Sequence, residues 1–212
     1  MLESIDPPRR PQLSRAYLEQ HRRRRYVEAL AELLHEFGPP GASVANLVCL
    51  AGTARNSFYD VFAGGEDCLA YGTQLARAEL FAGPGEAVAQ AGWAAEVEQA
   101  IAAFYRAVAA RPLLAELLLI HAHAARDAAT RESARAAPEA FAPLFERGRP
   151  RPQEPGPGPP PLTSELLSRA VVHLAARRLR ASESSRLADE APDMLALVLG
   201  FYPAGAAPGR RA

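Results

Sequence analysis

The sequence predicts an all-helical protein. Three observations lead there: apolar side chains recur every three to four residues through most of the chain, no segment alternates apolar and polar residues as a half-buried strand does, and Gly/Pro clusters cut the periodic stretches into helix-sized pieces. No internal repeat is visible.

Residues 1–14 carry Pro7, Pro8 and Pro11 among arginines and are expected to form a mobile basic arm. A first helix is expected over residues 15–37, where Tyr26, Leu30, Leu33, Leu34 and Phe37 share one face. Gly38-Pro-Pro-Gly41 ends it. Ser43 can cap a short second helix reaching about residue 51, because its hydroxyl accepts from an otherwise unpaired backbone N–H. Val44, Leu47 and Val48 give that helix an apolar stripe. Gly52 falls where the chain must turn sharply, in a left-handed conformation that only glycine takes without steric cost. A third helix, about 54–60, turns Phe58 inward together with Phe62, while Arg55, Asn56 and Tyr59 fall away from that stripe. The fourth, about 66–81, opens on Glu66 and Asp67, which suit the positive end of a helix dipole. Gly83-Pro84-Gly85 then breaks the chain, so residues 15–83 are expected to form one domain and 84–205 a second, with 206–212 a tail.

In the second domain, Trp93, Val97, Ile101, Phe104, Tyr105 and Val108 mark a long amphipathic helix ending at Arg111-Pro112. A strongly apolar helix is expected over 113–124, running on through 126–136, and Pro138 starts or kinks a piece carrying Phe141, Leu144 and Phe145. Residues 148–161 are nearly all Pro, Gly and Arg, an irregular linker. Two last helices are expected at about 163–181 and 188–201.

Composition narrows the function. The chain has 212 residues, enough to bury a sizeable core. Apolar residues make up 49%, yet no run approaches the roughly eighteen a membrane span needs. The polar N-terminus lacks the apolar stretch of a secretory signal, so a cytoplasmic location and no membrane partner are expected. Cys49 and Cys68 are too few for a disulfide scaffold or a zinc site and read as small apolar core residues. All 24 basic residues are arginine, the mark of GC-rich coding rather than of mechanism. Net charge is zero, but it is unevenly spread. Seven arginines (Arg9, Arg10, Arg15 and Arg22 to Arg25) face three acids in the first twenty-five residues, leaving about +4 there. A local basic face is sufficient to attract phosphates.

Two short helices across a tight turn make a helix-turn-helix, whose second helix enters the DNA major groove. The order Ala51-Gly52-x-x-Arg55-x-x-Phe58-Tyr59-x-x-Phe62, followed by Glu66-Asp67-Cys68-Leu69, resembles the TetR family of one-component bacterial transcription regulators. The resemblance spans residues 22–80; beyond it only the helical layout matches. Three positions depart from the pattern. Thr53-Ala54 replaces Val-Ser before the arginine, moving the expected helix cap to Thr53. Val61 stands for a histidine, and Gly65 for a lysine that contacts phosphate. On this resemblance Arg55, Asn56, Ser57 and Tyr59, with Thr53, face the major groove of a double-stranded operator. There arginine can pair with guanine O6/N7 and asparagine can read adenine. Tyr59, Ser43 and the Arg22, Arg23, Arg24, Arg25 cluster are expected to hold phosphates. Val44 and Ala54, at the starts of the two motif helices, complete the expected DNA-facing set.

The last helix is apolar on every side, through Met194, Leu195, Leu197, Val198, Leu199, Phe201 and Tyr202, and so must be buried on two sides. With Leu166, Leu167, Ala170, Val171 and Leu174 on the preceding helix, the economical arrangement is a four-helix bundle with a second copy. The resemblance implies the same homodimer. The expected contact set is therefore Leu166, Leu167, Ala170, Val171, Leu174, Leu195, Val198, Leu199 and Tyr202. Trp93, Phe104, Tyr105, Leu117, Leu118, His121, Phe141 and Phe145 could line an effector cavity, or equally form close-packed core. The resemblance favours a cavity for an apolar or aromatic small molecule whose binding tilts the fourth helix and changes the spacing of the two reading heads.

Enzymatic chemistry finds no footing. His121 and His123 are two apart, about 200° round a helix, and cannot chelate one metal there. No nucleophile elbow, phosphate loop or dinucleotide fingerprint is present. Asp189 and Glu190 lie in a charged stretch expected to be exposed. No cofactor and no metal are expected. The reading is a ligand-responsive repressor binding a palindromic operator as a homodimer. The alternatives are a helical adaptor whose degenerate helix-turn-helix binds protein, and an enzyme acting from the C-terminal pocket.

Overall fold

The computed structural model describes residues 14–82, 92–150 and 158–202. The expected arm before Ser14, the break near residue 83, the middle of the Pro-rich linker and the tail lie outside them. Among the described residues the chain is helical, with no strand.

α1 (Arg15–Gly41) starts at Ser14, whose hydroxyl accepts from the Tyr17 amide at 3.2 Å. Its regular part ends where Gly38 breaks the helix, at φ 65°. α2 (Val44–Leu50) is capped by Ser43, which accepts from the Asn46 amide at 3.2 Å. It closes in a Schellman turn: the Gly52 amide donates to the Cys49 carbonyl at 3.1 Å and the Thr53 amide to that of Val48 at 3.0 Å. Gly52 has φ 60°, the left-handed conformation the turn demands. α3 (Arg55–Tyr59) and α4 (Gly65–Leu80) follow. α3 begins after Ala54 with no side-chain cap, so the cap expected at Thr53 is not made. The Thr53 hydroxyl instead accepts from the Tyr26 phenol at 2.9 Å, which ties α1 to the turn.

These four helices close on one apolar core. Tyr26 packs edge-on against Phe58, ring centroids 5.1 Å apart, and Phe62 joins them. Cys68 is buried there, and burial with the neighbouring Asp67 carboxylate pushes its thiol up to about 12. Cys49 corrects the expectation of two core cysteines: it is exposed on α2.

The second core is built by α5 (Trp93–Ala110), α6 (Pro112–Leu119), α7 (Ala128–Arg135), α8 (Ala142–Glu146), α9 (Thr163–Arg180) and α10 (Leu187–Gly200). The apolar run expected as one helix to residue 124 leaves α-geometry after Leu119 and continues as a 3-10 turn, His121–Ala124. The Pro-rich linker is irregular where described, yet anchored. The Arg149 guanidinium donates to the carbonyls of Pro159, Pro160 and Pro161 at 2.7, 2.9 and 2.8 Å. The expectation that Asp189 and Glu190 are exposed together is corrected: Glu190 pairs with Arg178, tying α10 to α9.

α4 joins the two cores. Gly72 lies buried in it, and a Cβ there would stand 2.8 Å from Leu117 Cδ1 on α6 and 3.1 Å from Val27 Cγ1 on α1. A side chain there would press on both neighbours, so glycine suits the close meeting of three helices.

Candidate nucleic-acid interface

α3 projects from the head with one face in the core and one in solvent. Phe58 is fully buried, whereas Ala54, Arg55, Asn56 and Tyr59 are exposed and Ser57 is half-buried. The Arg55 guanidinium lies 5.8 Å from the centre of the Tyr59 ring, which holds it over the exposed face. Ser43 stands at the start of α2, exposed; capping uses its oxygen as acceptor and leaves its O–H to donate. Two expected contacts change. The Val44 side chain packs on the head core, and Thr53 is half-buried with its hydroxyl bonded to Tyr26.

The four consecutive arginines point different ways, as a 100° step per residue requires. Arg22 and Arg25 are exposed. Arg23 pairs with Glu19 at 3.0 Å and lies 5.4 Å from the ring centres of Phe62 and Tyr71. Arg24 turns toward α4, where it meets Glu79 at 2.7 Å. Of the four, Arg22 and Arg25 are exposed with no ion pair among the described residues.

Glu79 is shared: Arg111, between α5 and α6, binds its other oxygen. A second tie joins His35 of α1 to Glu116 of α6, the imidazole Nδ1 lying 3.0 and 3.2 Å from the two carboxylate oxygens. His121 Nε2 stands 3.8 Å from the same carboxylate, beyond hydrogen-bond length, and is buried with no partner among the described residues. Burial pushes the Glu116 carboxyl up, but the imidazoles of His121 and His35 more than offset it and hold the acid below its ordinary value. At either end of α4, the Arg126 amide donates to Glu66 at 3.1 Å and Arg77 donates to the Ser133 carbonyl at 3.0 Å. Sequence reasoning missed all of these ties. The paired partners lie 32 to 81 residues apart, beyond the reach of any spacing pattern.

The expected effector cavity is filled by its own side chains. Tyr105, Leu117, Leu118 and Phe145 are wholly buried, and Phe104 and Phe141 are nearly so. Phe81 stacks on Phe104 at 5.0 Å, and a 190 Å³ cavity remains beside Phe104 and Phe141. Trp93 donates to the Leu144 carbonyl at 2.7 Å and packs 4.7 Å from the Tyr202 ring. Leu117 belongs to the head core, and His121 sits beside the Glu116 carboxylate without bonding to it.

The expected dimer residues also divide. Leu167, Val171, Val198 and Tyr202 face their own core, because α10 turns an apolar side onto α5 and α9 turns one onto α8 and α6. Leu166 is 62% exposed, and Ala170, Leu174, Leu195 and Leu199 are partly so.

The described residues thus form a helix-turn-helix head set on a helical body. No protein-family model matches the chain, and no curated protein is significantly similar to it in sequence. Solved structures are similar. The TetR-family transcriptional regulator PfmR from Thermus thermophilus aligns over 84% of this chain and 96% of its own, with TM-score 0.67 and 20% identity. The fatty acid degradation regulator FadR from Bacillus halodurans aligns over 84% and 95%, with TM-score 0.66 and 15% identity. FadR from Bacillus subtilis, in complex with stearoyl-CoA, aligns over 85% and 99%, with TM-score 0.62 and 12% identity. The chain therefore has the fold of TetR-family transcription regulators, as its helix-turn-helix residues led us to expect.

Proposed function

We propose that this chain is a DNA-binding transcription regulator, a repressor that grips a palindromic operator as a homodimer and releases it on binding a small molecule. One observation carries the reading: α3 offers Arg55, Asn56 and Tyr59 to solvent from a head whose aromatic core fixes its orientation. Arg22 and Arg25 flank it with positive charge suited to phosphates. The fold shared with PfmR and the two FadR proteins supports the same reading. The exposed apolar edge of Leu166, Ala170, Leu174, Leu195 and Leu199 suits a second copy, with the two α9–α10 pairs forming a bundle. Among the described residues the ion pairs and hydrogen bonds named above between head and body run to α1 or α4, so a ligand that prefers one position of the body would bias the spacing of the two heads. The test is fluorescence anisotropy with duplexes taken from the DNA flanking the gene. Saturable, salt-sensitive binding that selects one duplex supports a regulator, and equal affinity for every duplex opposes it.

A further inference from the structure

A crevice of about 340 Å³ lies where the head meets the body, a volume within the range of small-molecule sites. α1, α4 and the corner from α5 to α6 enclose it. α3, α9 and α10 take no part, so it lies apart from the reading face and from the edge left for a second copy. Val27 and Ala31 of α1 are buried at its floor, and Leu75, Leu113 and Leu114 beside them keep part of their apolar surface in solvent. Arg24 and Arg111 stand at the rim, but both guanidiniums are bound to the one Glu79 carboxylate. The other charged residues of the rim, Glu28 and Glu32, are exposed. Among the described residues the ion pairs of α1 are made by Arg23 with Glu19, by Arg24 and by His35, and none reaches Glu28 or Glu32. These two stand one turn apart, a spacing at which like charges repel and weaken a helix. With Glu79, three carboxylates are set against two guanidiniums, so the crevice is net negative and its free charges are both acidic.

We propose that this crevice binds a small organic cation with an apolar body, an alkylammonium in its simplest form, its head held by Glu28 and Glu32 and its body lying on Leu75, Leu113 and Leu114. Charge complementarity selects the head: an ammonium relieves the repulsion between the two glutamates and donates hydrogen bonds to both. The half-exposed leucines select the body, because covering them removes apolar surface from water. The location gives occupancy an effect. Leu113 and Leu114 open α6, the helix that carries Glu116 to His35 of α1, and the Arg24–Glu79–Arg111 bridge stands at the rim. A ligand seated here bears on the joint between body and reading head. That coupling rests on the regulator reading above; binding itself does not.

The experiment is calorimetry on the full chain without DNA at pH 7, titrating octylammonium, with octanol and octanoate as the neutral and anionic controls. Octylammonium should bind saturably, and either control about tenfold more weakly or worse, the factor that about 1.4 kcal/mol represents. Butylammonium should also bind about tenfold more weakly or worse, because it leaves four methylenes fewer against the leucines. The Glu28→Gln/Glu32→Gln double variant should lose about tenfold or more of the octylammonium affinity. Both glutamates are exposed and outside the head core, so a melting temperature no lower than that of the wild type verifies the fold. No saturable octylammonium binding, a control or butylammonium binding equally well, or an unaffected double variant would each overturn the proposal. So would a double variant whose sedimentation shifts from that of the wild type, which would make the crevice a contact between copies. Operator affinity is measured separately, with and without octylammonium. Weaker DNA binding in its presence supports the coupling; unchanged DNA binding overturns the coupling and leaves the site. A chain that binds no operator at all counts against the regulator reading alone.

Discussion

Arg55 combines exposure on α3 with a fixed pose over Tyr59, so its contribution should be to specificity rather than stability. Arg55→Ala should weaken operator binding by about 1–3 kcal/mol and leave the melting temperature unchanged, as measured by anisotropy and thermal denaturation. The basic cluster makes a contrasting prediction. Each lost phosphate contact at Arg22 or Arg25 should reduce the slope of log K against log salt by roughly 0.9. Arg24→Ala should leave that slope alone, because its guanidinium is committed to Glu79. Glu116 makes stability depend on pH. Its folded carboxyl lies below the ordinary value of 4.5, so its stabilising contribution is complete above that pH and is lost as pH falls through the lower folded value. The melting temperatures of wild type and Glu116→Gln should therefore differ at pH 7 and converge in acid; a gap that widens on acidification would contradict the assignment.

At the scale of elements, the head was legible because its signals are local. A capping serine, a glycine turn and a pair of phenylalanines four apart lie within twenty residues and each dictates a backbone state. Thr53 misled because α3 starts one residue later than expected, at Arg55, which puts Ala54 in the cap position, while the Thr53 hydroxyl serves Tyr26 from 27 residues away. The body was legible as helices but not as contacts. An aromatic set at helical spacing reads alike whether it lines a cavity or fills one, and here Phe81 fills it against Phe104. Likewise an apolar stripe on α9 does not say which edge meets its own α8 and α6. Two glycines test the element account. Gly52→Ala places a side chain at φ 60° and should destabilise the chain by about 1–3 kcal/mol in urea denaturation. Gly72→Ala drives a methyl against Leu117 at the meeting of α1, α4 and α6 and should cost a similar ~1–3 kcal/mol through overpacking. Wild-type stability in either variant would show that the turn or the junction is looser than described.

For the whole molecule, two reading heads require two copies. Leu166→Glu changes a side chain that is 62% exposed in the subunit, so it should spare the fold while burying an unpaired charge in any bundle made by α9 and α10. Sedimentation should give a dimer for wild type and a monomer for the variant, and the monomer should lose far more operator affinity than the removal of one phosphate contact explains. The two-fold symmetry of the proposed dimer must appear again in the DNA it prefers. The most direct measurement is therefore selection of bound duplexes from a random-sequence pool by the purified wild-type chain. The account predicts an enriched inverted repeat whose half-sites are centred one helical turn apart, about 34–36 Å, or a multiple of it. A pool that stays random, or that enriches an unpaired half-site, would contradict it.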